Sequence, residues 1–304
     1  MTEQTQTLSP QVSSAPARTK PRGFKSKQFQ ENFTVIVATI LALLGLMLVL
    51  FPLVWMLSTS LKGQIEALKM PPTLFPAEIQ WHNYRDALTG ANPFGTYFLN
   101  TLFFAGSVMV GELLSCAFIA YGFARLRAPG RDMLFLLVLA TLMIPAEVTL
   151  IPQYILFSKL GWINSYKPLI VPAWFGSAYL IFLMRQFFMT IPKEYDEAAV
   201  IEGASHLGIW WRIILPLSKP ALGALAIMSF IFHWNYFQGP LIYLNDEKLY
   251  PVSLGLSQFR TPFGGTPWHL YMAASLVVIL PCILVFYIAQ RFFIQGIVVS
   301  GVKG

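Results

Sequence analysis

The sequence predicts an all-α integral membrane protein with six transmembrane helices. Hydrophobic residues make up 56% of the 304 residues and charged residues only 12%, whereas soluble domains carry about 25% charged residues. Apolar runs close to the roughly 20 residues that cross a bilayer recur along the chain. These runs are continuously apolar rather than alternating, so they predict helices and not the strands of a membrane barrel.

Six apolar runs define the predicted spans. They are Phe33–Ser58, Thr96–Phe123, Met133–Phe157, Pro168–Phe188, Pro220–Leu244 and Trp268–Phe293. Internal prolines of these runs include Pro52, Pro145, Pro152, Pro172 and Pro281. Each proline frees a carbonyl that neighbouring helices can satisfy, so we expect kinks at these positions.

The first 30 residues differ from the rest of the chain. Residues 1–30 are rich in Thr, Ser, Gln and Pro and lack an apolar core, which predicts a largely disordered cytoplasmic tail. A docking arm is the alternative interpretation. The first apolar run is too long and starts too late for a cleavable signal peptide. Residues 31–304 are predicted to form one transmembrane domain.

The distribution of basic residues predicts the orientation of the spans. With the N-terminus inside, 14 of the 21 Lys and Arg residues fall on the inner side. Both termini are therefore predicted to be cytoplasmic. The net charge of +7 reflects this topology and contact with anionic lipid. Nucleic acid is not a predicted partner, because no basic helix with interleaved aromatic residues is present.

Sequence motifs for catalysis are missing. There is no G-x-x-x-x-G-K-[ST] loop for ATP, and no G-x-S-x-G, H-E-x-x-H or C-x-x-C pattern. The four histidines are scattered, and Cys116 and Cys282 lie in apolar runs that favour packed thiols. We therefore predict that this chain is not an enzyme and holds neither a metal nor a cofactor.

Polar residues inside the spans include candidates for a translocation path, namely Glu147 and a cluster in the fifth span. Glu112 and Glu147 are separated carboxylates, which we expect to be packing or cavity-wall residues; proton carriage is the alternative. In the fifth span, Trp234, Asn235, Tyr236 and Gln238 form a cluster beyond the midplane. Amides and aromatic rings there could bind a sugar-like solute, or could serve as an interfacial belt and as links between helices.

The loop between the fourth and fifth spans predicts a helix, a turn and a second helix. Glu194, Asp196 and Glu197 would lie near the positive N-terminal end of the first helix. Its spacing then places Tyr195, Ala198, Ala199 and Glu202 on one face, where the two alanines allow close approach of another surface. Gly203 suits a left-handed helix end.

The second helix of this loop is predicted to begin at Ser205 as its N-cap. We expect its Leu207, Trp210, Trp211 and Ile214 to pack against the underside of the membrane domain. The loop would then present a rigid docking surface. The alternative is a helix lying on lipid headgroups, but three acidic groups in one turn would be repelled by an anionic leaflet.

These residues also carry a family resemblance. Glu197-Ala198-Ala199, Gly203, and Ile213, Leu215 and Pro216 match the E-A-A-x-x-x-G-x9-I-x-L-P signature of ABC importer permeases. The flanking Phe182–Phe188 run, Trp234-Asn235 before Pro240, and the ending from Gln290 resemble the carbohydrate-importer branch. Within it, the chain is similar to the shorter six-span subunit of the maltose and glycerol-phosphate type, with a type I ABC importer permease fold.

The resemblance implies a set of partners and site residues. The partners are a second permease in a heterodimer, two ATPase subunits that bind ATP and Mg, and an extracytoplasmic solute-binding protein. By position, Glu197, Ala198, Ala199 and Gly203 are implied to dock on an ATPase, with Glu194 and Glu202 beside them. The residues Gly301, Val302, Lys303 and Gly304 are implied to reach the ATPase dimer. The solute is left open among disaccharides, glucosides, polyols and glycerol phosphates. A proton-coupled secondary carrier is the alternative function.

Overall fold

The structure is a computed structural model that describes residues 24–90, 94–260 and 265–301, with side chains over 32–90, 94–260, 265–288 and 290. All regular secondary structure in these ranges is helical. The chain divides into two units, Met1–Leu53 and Val54–Gly304. Most of the predicted tail, residues 1–23, lies outside the described residues, but the first helix begins at Phe24, earlier than the tail boundary at residue 30.

Fifteen α-helices are described. In chain order they are α1 (Phe24–Ser60), α2 (Gln64–Ala67), α3 (His82–Thr89), α4 (Phe94–Arg125), α5 (Arg131–Ala140), α6 (Ala146–Lys159), α7 (Lys167–Ile170), α8 (Ala178–Thr190), α9 (Glu194–Ile201), α10 (His206–Ile209), α11 (Leu215–Leu217), α12 (Lys219–Trp234), α13 (Gln238–Tyr243), α14 (Val252–Ser257) and α15 (Trp268–Gly301). Short 3-10 turns follow α5, α7 and α13, and one π-helical turn, Trp210–Ile214, joins α10 to α11.

Four segments are long and apolar enough to cross a membrane as they stand. They are Asn32–Ser60, Phe94–Arg125, Lys167–Thr190 and Trp268–Ile288. Two further helix pairs pass the same test only if each bent pair counts as one span, which brings the total to six. The predicted first, second, fourth and sixth spans therefore match single segments, whereas the third and fifth differ in shape.

The third predicted span is sharply bent. Its two parts, Arg131–Met143 and Ala146–Lys159, meet at an angle of 96°. Ile144 between them is extended, with φ −83° and ψ 115°, because the ring of Pro145 disfavours helical geometry in the residue before it. The kink predicted at Pro145 is confirmed, and it is large enough to turn the chain.

The fifth predicted span, Pro220–Leu244, is not one continuous helix. Helix α12 ends at Trp234, and the next helix starts at Gln238. Pro240 accounts for the break, because it has no N–H to donate to the carbonyl of Tyr236 and its ring would clash with that carbonyl. The Ser253 hydroxyl donates to this carbonyl instead, at 2.8 Å.

Helix α4 is the central element of the second unit. It packs against α8, α12 and the 3-10 turn Pro172–Phe175. One apolar core surrounds its C-terminal half together with α8 and the segment from α9 to α11, and includes Met184 and Ile214. A second core surrounds its N-terminal half together with α3, α12, α14 and α15, and includes Tyr97 and Trp234.

Helix α1 contributes the described part of the first unit. From Asn32 to Leu53 all of its described side chains are exposed, and most of them are apolar. Such a surface is typical of a helix that faces lipid.

Candidate functional site

The connecting loop forms the predicted helix, turn and second helix. Helix α9 runs from Glu194 to Ile201, and Glu194, Asp196 and Glu197 occupy its first turn. Carboxylates are favoured there by the partial positive charge of a helix N-terminus. Pro192 lies two residues before the first residue of α9. Glu194 and Glu197 are exposed and give this end of α9 a negative surface.

One face of α9 borders a shallow hollow of about 430 Å³. Its lining residues are Glu194, Tyr195, Ala198, Ala199, Glu202 and Ile213. The structure thus brings together the four residues that the helical spacing placed on one face. Ala198 is exposed whereas Ala199 is buried, so only the first alanine is free to meet another molecule. The second one packs α9 onto the rest of the protein.

The turn after α9 has the geometry predicted from Gly203. This residue adopts φ +83°, a left-handed conformation that side chains with a Cβ atom disfavour. Ser205 then caps α10 by accepting a hydrogen bond from the Gly208 N–H at 3.2 Å. The turn is therefore fixed by two specific residues, and the angle between the two helices is defined.

The second helix packs differently from the prediction. Ile209 and Ile214 are buried, and Trp210 packs against the same core. Leu207 and Trp211, which were expected to pack there too, are both 61% exposed. The π-helical turn explains this difference, because an extra residue in the turn shifts the phase of the side chains around the helix axis.

Arg125, at the end of α4, fastens the loop to the membrane helices. One terminal nitrogen of its guanidinium donates to the carbonyls of Phe188 and Ile191 at 2.8 and 2.7 Å. Its Nε lies 3.3 Å from Oδ2 of Asp196 in α9, an ion pair without hydrogen-bond geometry. The Arg125 side chain is only 4% exposed. One buried side chain thus joins α4, the end of α8 and α9.

The ionised state of the Asp196 carboxylate depends on its contact with Arg125. Burial raises the pKa of Asp196 above its ordinary value, and the positive charges of Arg125 and His206 oppose that rise. Glu197 next to it raises the pKa further. Since burial penalises the charged carboxylate, the guanidinium of Arg125 is the main group that keeps it ionised.

A second concave region lies among α4, α6, α12 and α13. It comprises a cavity of about 530 Å³ and a neighbouring one of about 290 Å³, and both are lined by Glu112, Phe232 and His233. Polar groups on the wall of the larger cavity are Thr149, Gln153, Tyr236 and Gln238. This mixture of aromatic surface with a few polar groups is typical of small-molecule sites.

The candidates for a translocation path are divided by the structure. Tyr236 and Gln238 line the larger cavity. Trp234 is 1% exposed and donates its indole N–H to the Val278 carbonyl at 3.1 Å, so it packs α12 onto α15. Asn235 ends α12 and donates to the Ile231 carbonyl at 2.8 Å. Glu147 is exposed in the first turn of α6 and lines neither cavity.

Sequence reasoning missed two features of these regions. In the sequence, Arg125 contributes only to the positive charge that predicts the orientation of the spans. Its contact with Asp196 joins residues 71 positions apart, which no local pattern reveals. Glu112 accepts a hydrogen bond from the Ser229 hydroxyl at 2.6 Å, a link between α4 and α12. The one available signal was the presence of a carboxylate in an apolar run.

Other predicted features are simpler to place. Among the residues that the structure describes, no group of three His, Cys, Asp or Glu side chains could hold a metal. Gly301 ends α15, while Val302, Lys303 and Gly304 lie outside the described residues.

Comparisons with known proteins agree with this architecture. Residues 113–299 match the family model described as "Binding-protein-dependent transport system inner membrane component". The chain is 38% identical to the sn-glycerol-3-phosphate transport system permease protein UgpE of Pectobacterium atrosepticum, over 87% of this chain and 96% of that protein. It is 33% identical to the arabinooligosaccharides transport system permease protein AraQ of Bacillus subtilis, over 88% and 96%.

A solved structure shares the fold. A chain of a bacterial ABC transporter involved in the import of the acidic polysaccharide alginate superposes with a TM-score of 0.78 at 23% identity. The match covers 87% of this chain and 98% of that one. The family model, which spans more than half of the sequence, and the identities above 30% settle the family. The chain is a member of the family of inner membrane components of binding-protein-dependent transport systems.

Proposed function

We propose that α9 and the turn that follows it dock on a cytoplasmic ATPase subunit and transmit its movements to the membrane helices. The observation that carries this proposal is the Arg125 contact, which fixes an acidic, small-residue surface to two membrane helices at once. Glu197 and Ala198 are exposed on α9 and are available to a partner. ATP and Mg are bound and ATP is hydrolysed by that partner, not by this chain.

The chain then serves as one permease of an ABC importer. It forms the translocation path with a second permease, and a solute-binding protein delivers the solute from outside. The curated relatives transport sn-glycerol 3-phosphate or arabinooligosaccharides, as their names state, which supports a sugar or sugar-like solute here. Both termini lie in the cytoplasm, and the residues Gly301–Gly304 extend toward the ATPase dimer.

A reconstituted importer tests this proposal. The chain is co-purified with its second permease and ATPase and placed in vesicles that contain ATP, with the binding protein outside. Solute uptake is expected to require hydrolysable ATP and to be unaffected by a proton uncoupler. Uptake that persists without the ATPase, and stops when the uncoupler is added, would favour the secondary carrier, an alternative for which the family gives no support.

A further inference from the structure

We propose that the larger cavity binds a neutral, polyhydroxylated solute and rejects anionic ones, with Glu112 as the residue that discriminates. The proposal rests on the proposed function, since it narrows the solute class of that same importer. It concerns the buried carboxylate that the sequence analysis regarded as a packing or cavity-wall residue.

Glu112 lies on the wall of both cavities. Its residue is 8% exposed, yet it lines both the cavity of about 530 Å³ and the neighbouring cavity of about 290 Å³. The Ser229 hydroxyl donates a hydrogen bond to the Oε2 atom of Glu112 at 2.6 Å. A carboxylate offers two oxygens with about four acceptor sites, so capacity is left for hydroxyl groups of a solute.

The described wall of the larger cavity carries no permanent positive charge. None of the described side chains that line the larger cavity belongs to Lys or Arg. Among the lining residues of the larger cavity, His233 is the one whose side chain can become positively charged, and its Nδ1 atom lies 4.0 Å from Oε2 of Glu112. The same Nδ1 atom lies 2.9 Å from the carbonyl of Ser229, which can only accept, so Nδ1 carries the proton.

The two protonation states of His233 lead to the same conclusion. With Glu112 ionised, the two side chains together carry one negative charge when the imidazole is neutral and no net charge when it is an imidazolium. In neither state does this wall of the cavity present a net positive charge. A phosphate or uronate would bring its own charge close to the carboxylate without a cation to compensate it, which an interface penalises strongly.

The remaining wall suits a carbohydrate. Phe232 and Tyr236 are stacked, with ring centroids 5.8 Å apart, and supply the apolar surface on which the C–H face of a sugar ring can lie. Gln153 and Gln238 contribute amides that can donate to and accept from hydroxyl groups. A volume of about 530 Å³ lies within the usual range of about 300–1,000 Å³ for small-molecule sites.

Equilibrium binding to the assembled transporter, without its binding protein, tests the inference. The radiolabelled probes are pairs that differ in charge: glycerol against sn-glycerol 3-phosphate, and galactotriose against trigalacturonate, with arabinotriose as a further neutral probe. We expect at least one neutral probe to bind about tenfold or more tightly than its anionic counterpart. Equal or tighter binding of the anions, or no binding of any neutral probe, would overturn the inference.

Two variants separate charge from packing. Glu112→Gln keeps an acceptor for the Ser229 hydroxyl but removes the negative charge, so the preference for neutral probes should fall to about twofold or less. Ser229→Ala removes the hydrogen bond and keeps the charge, so the preference should persist. Asp132→Asn, at an exposed carboxylate in the first turn of α5, is the control for charge alone. If Glu112→Gln leaves the preference intact, the carboxylate is not the discriminating group.

A failure of this inference is distinguishable from a failure of the proposed function. Binding of an anionic probe, followed by its ATP-dependent uptake in vesicles, would contradict the neutral cavity and leave the importer assignment standing. ATP-independent uptake of any probe would contradict the importer assignment itself.

Discussion

The guanidinium of Arg125 lies against the carboxylate of Asp196, with Nε and Oδ2 3.3 Å apart. Arg125 ends a 32-residue membrane helix, and Asp196 lies in the first turn of α9. The same guanidinium holds two carbonyls at the end of α8. A movement of α9 must therefore either carry both membrane helices with it or break this contact.

Replacement of Arg125 should uncouple the loop. Arg125→Ala leaves the partly buried carboxylate of Asp196 unpaired and removes the link between α4, α8 and α9. Arg125→Lys should restore little, because an ammonium lacks the planar fork that reaches several acceptors. We expect uptake in vesicles to fall at least about tenfold while ATP hydrolysis continues. Arg127→Ala, an exposed neighbour, is the control; equal losses in both variants would contradict the role of Arg125.

Substitutions at Gly203 should be tolerated when the new residue can adopt a left-handed backbone conformation, and not otherwise. No heavy atom lies within 4 Å of the place where a Cβ would be, so only the φ of +83° is at issue. Gly203→Val should cost at least about 1–2 kcal/mol and abolish uptake with membrane insertion intact. Gly203→Asn should retain most uptake, because Asn tolerates this conformation. A similar loss in both variants would show that the residue matters for space rather than for φ.

The two alanines of α9 should respond in different assays. Ala198→Phe adds a ring to the exposed face beside the hollow, so co-purification of the ATPase should be lost while the melting temperature in detergent is unchanged. Ala199→Phe would overpack a buried position, which typically costs about 1–3 kcal/mol, and should lower the melting temperature. Val200→Phe, on the other side of α9, is the control. Retention of the ATPase by the Ala198 variant would exclude this face from the interface.

A tight glycine contact gives a test of the fold outside the loop. A Cβ at Gly255 would overlap the ring of Tyr97, whose Cγ is 3.1 Å away and whose side chain is completely buried. Gly255→Ala should therefore lower the melting temperature, at a cost of about 1–3 kcal/mol. Gly106→Ala, in the same helix as Tyr97 and with open space around its Cβ, should be neutral or slightly stabilising. Equal melting temperatures for the two variants would contradict the packing of α14 on α4.

The sequence predicted most of what depends on local chemistry. Gly203, Ser205 and the small-residue face of α9 follow from dihedral preference, capping and helical spacing, and the structure agrees with each. The kink at Pro145 was predictable in position but not in size, because its 96° angle depends on the elements packed around it.

Contacts between distant residues could not be predicted in the same way. The prediction of a continuous fifth span was wrong because Pro240 interrupts it. Pro240 leaves the carbonyl of Tyr236, four residues earlier, without its helical donor, and the Ser253 hydroxyl donates to that carbonyl instead. The prediction that Leu207 and Trp211 are buried was wrong, because a π-helical turn shifts the direction in which side chains point around the helix axis. Glu112 and Ser229, 117 residues apart, meet only once the helices are packed.

The angle after α11 converts one direction of motion into another. The segment His206–Leu217 meets α12 at 78°, with only Ser218 between them, and the hydroxyl of that buried serine is tied back to the Ile214 carbonyl at 2.7 Å. If the proposed coupling movement displaces the segment His206–Leu217 as a unit, this fixed angle would redirect the displacement along α12. Ser229, whose hydroxyl donates to Glu112 of α4, lies on α12 about 16 Å from this joint.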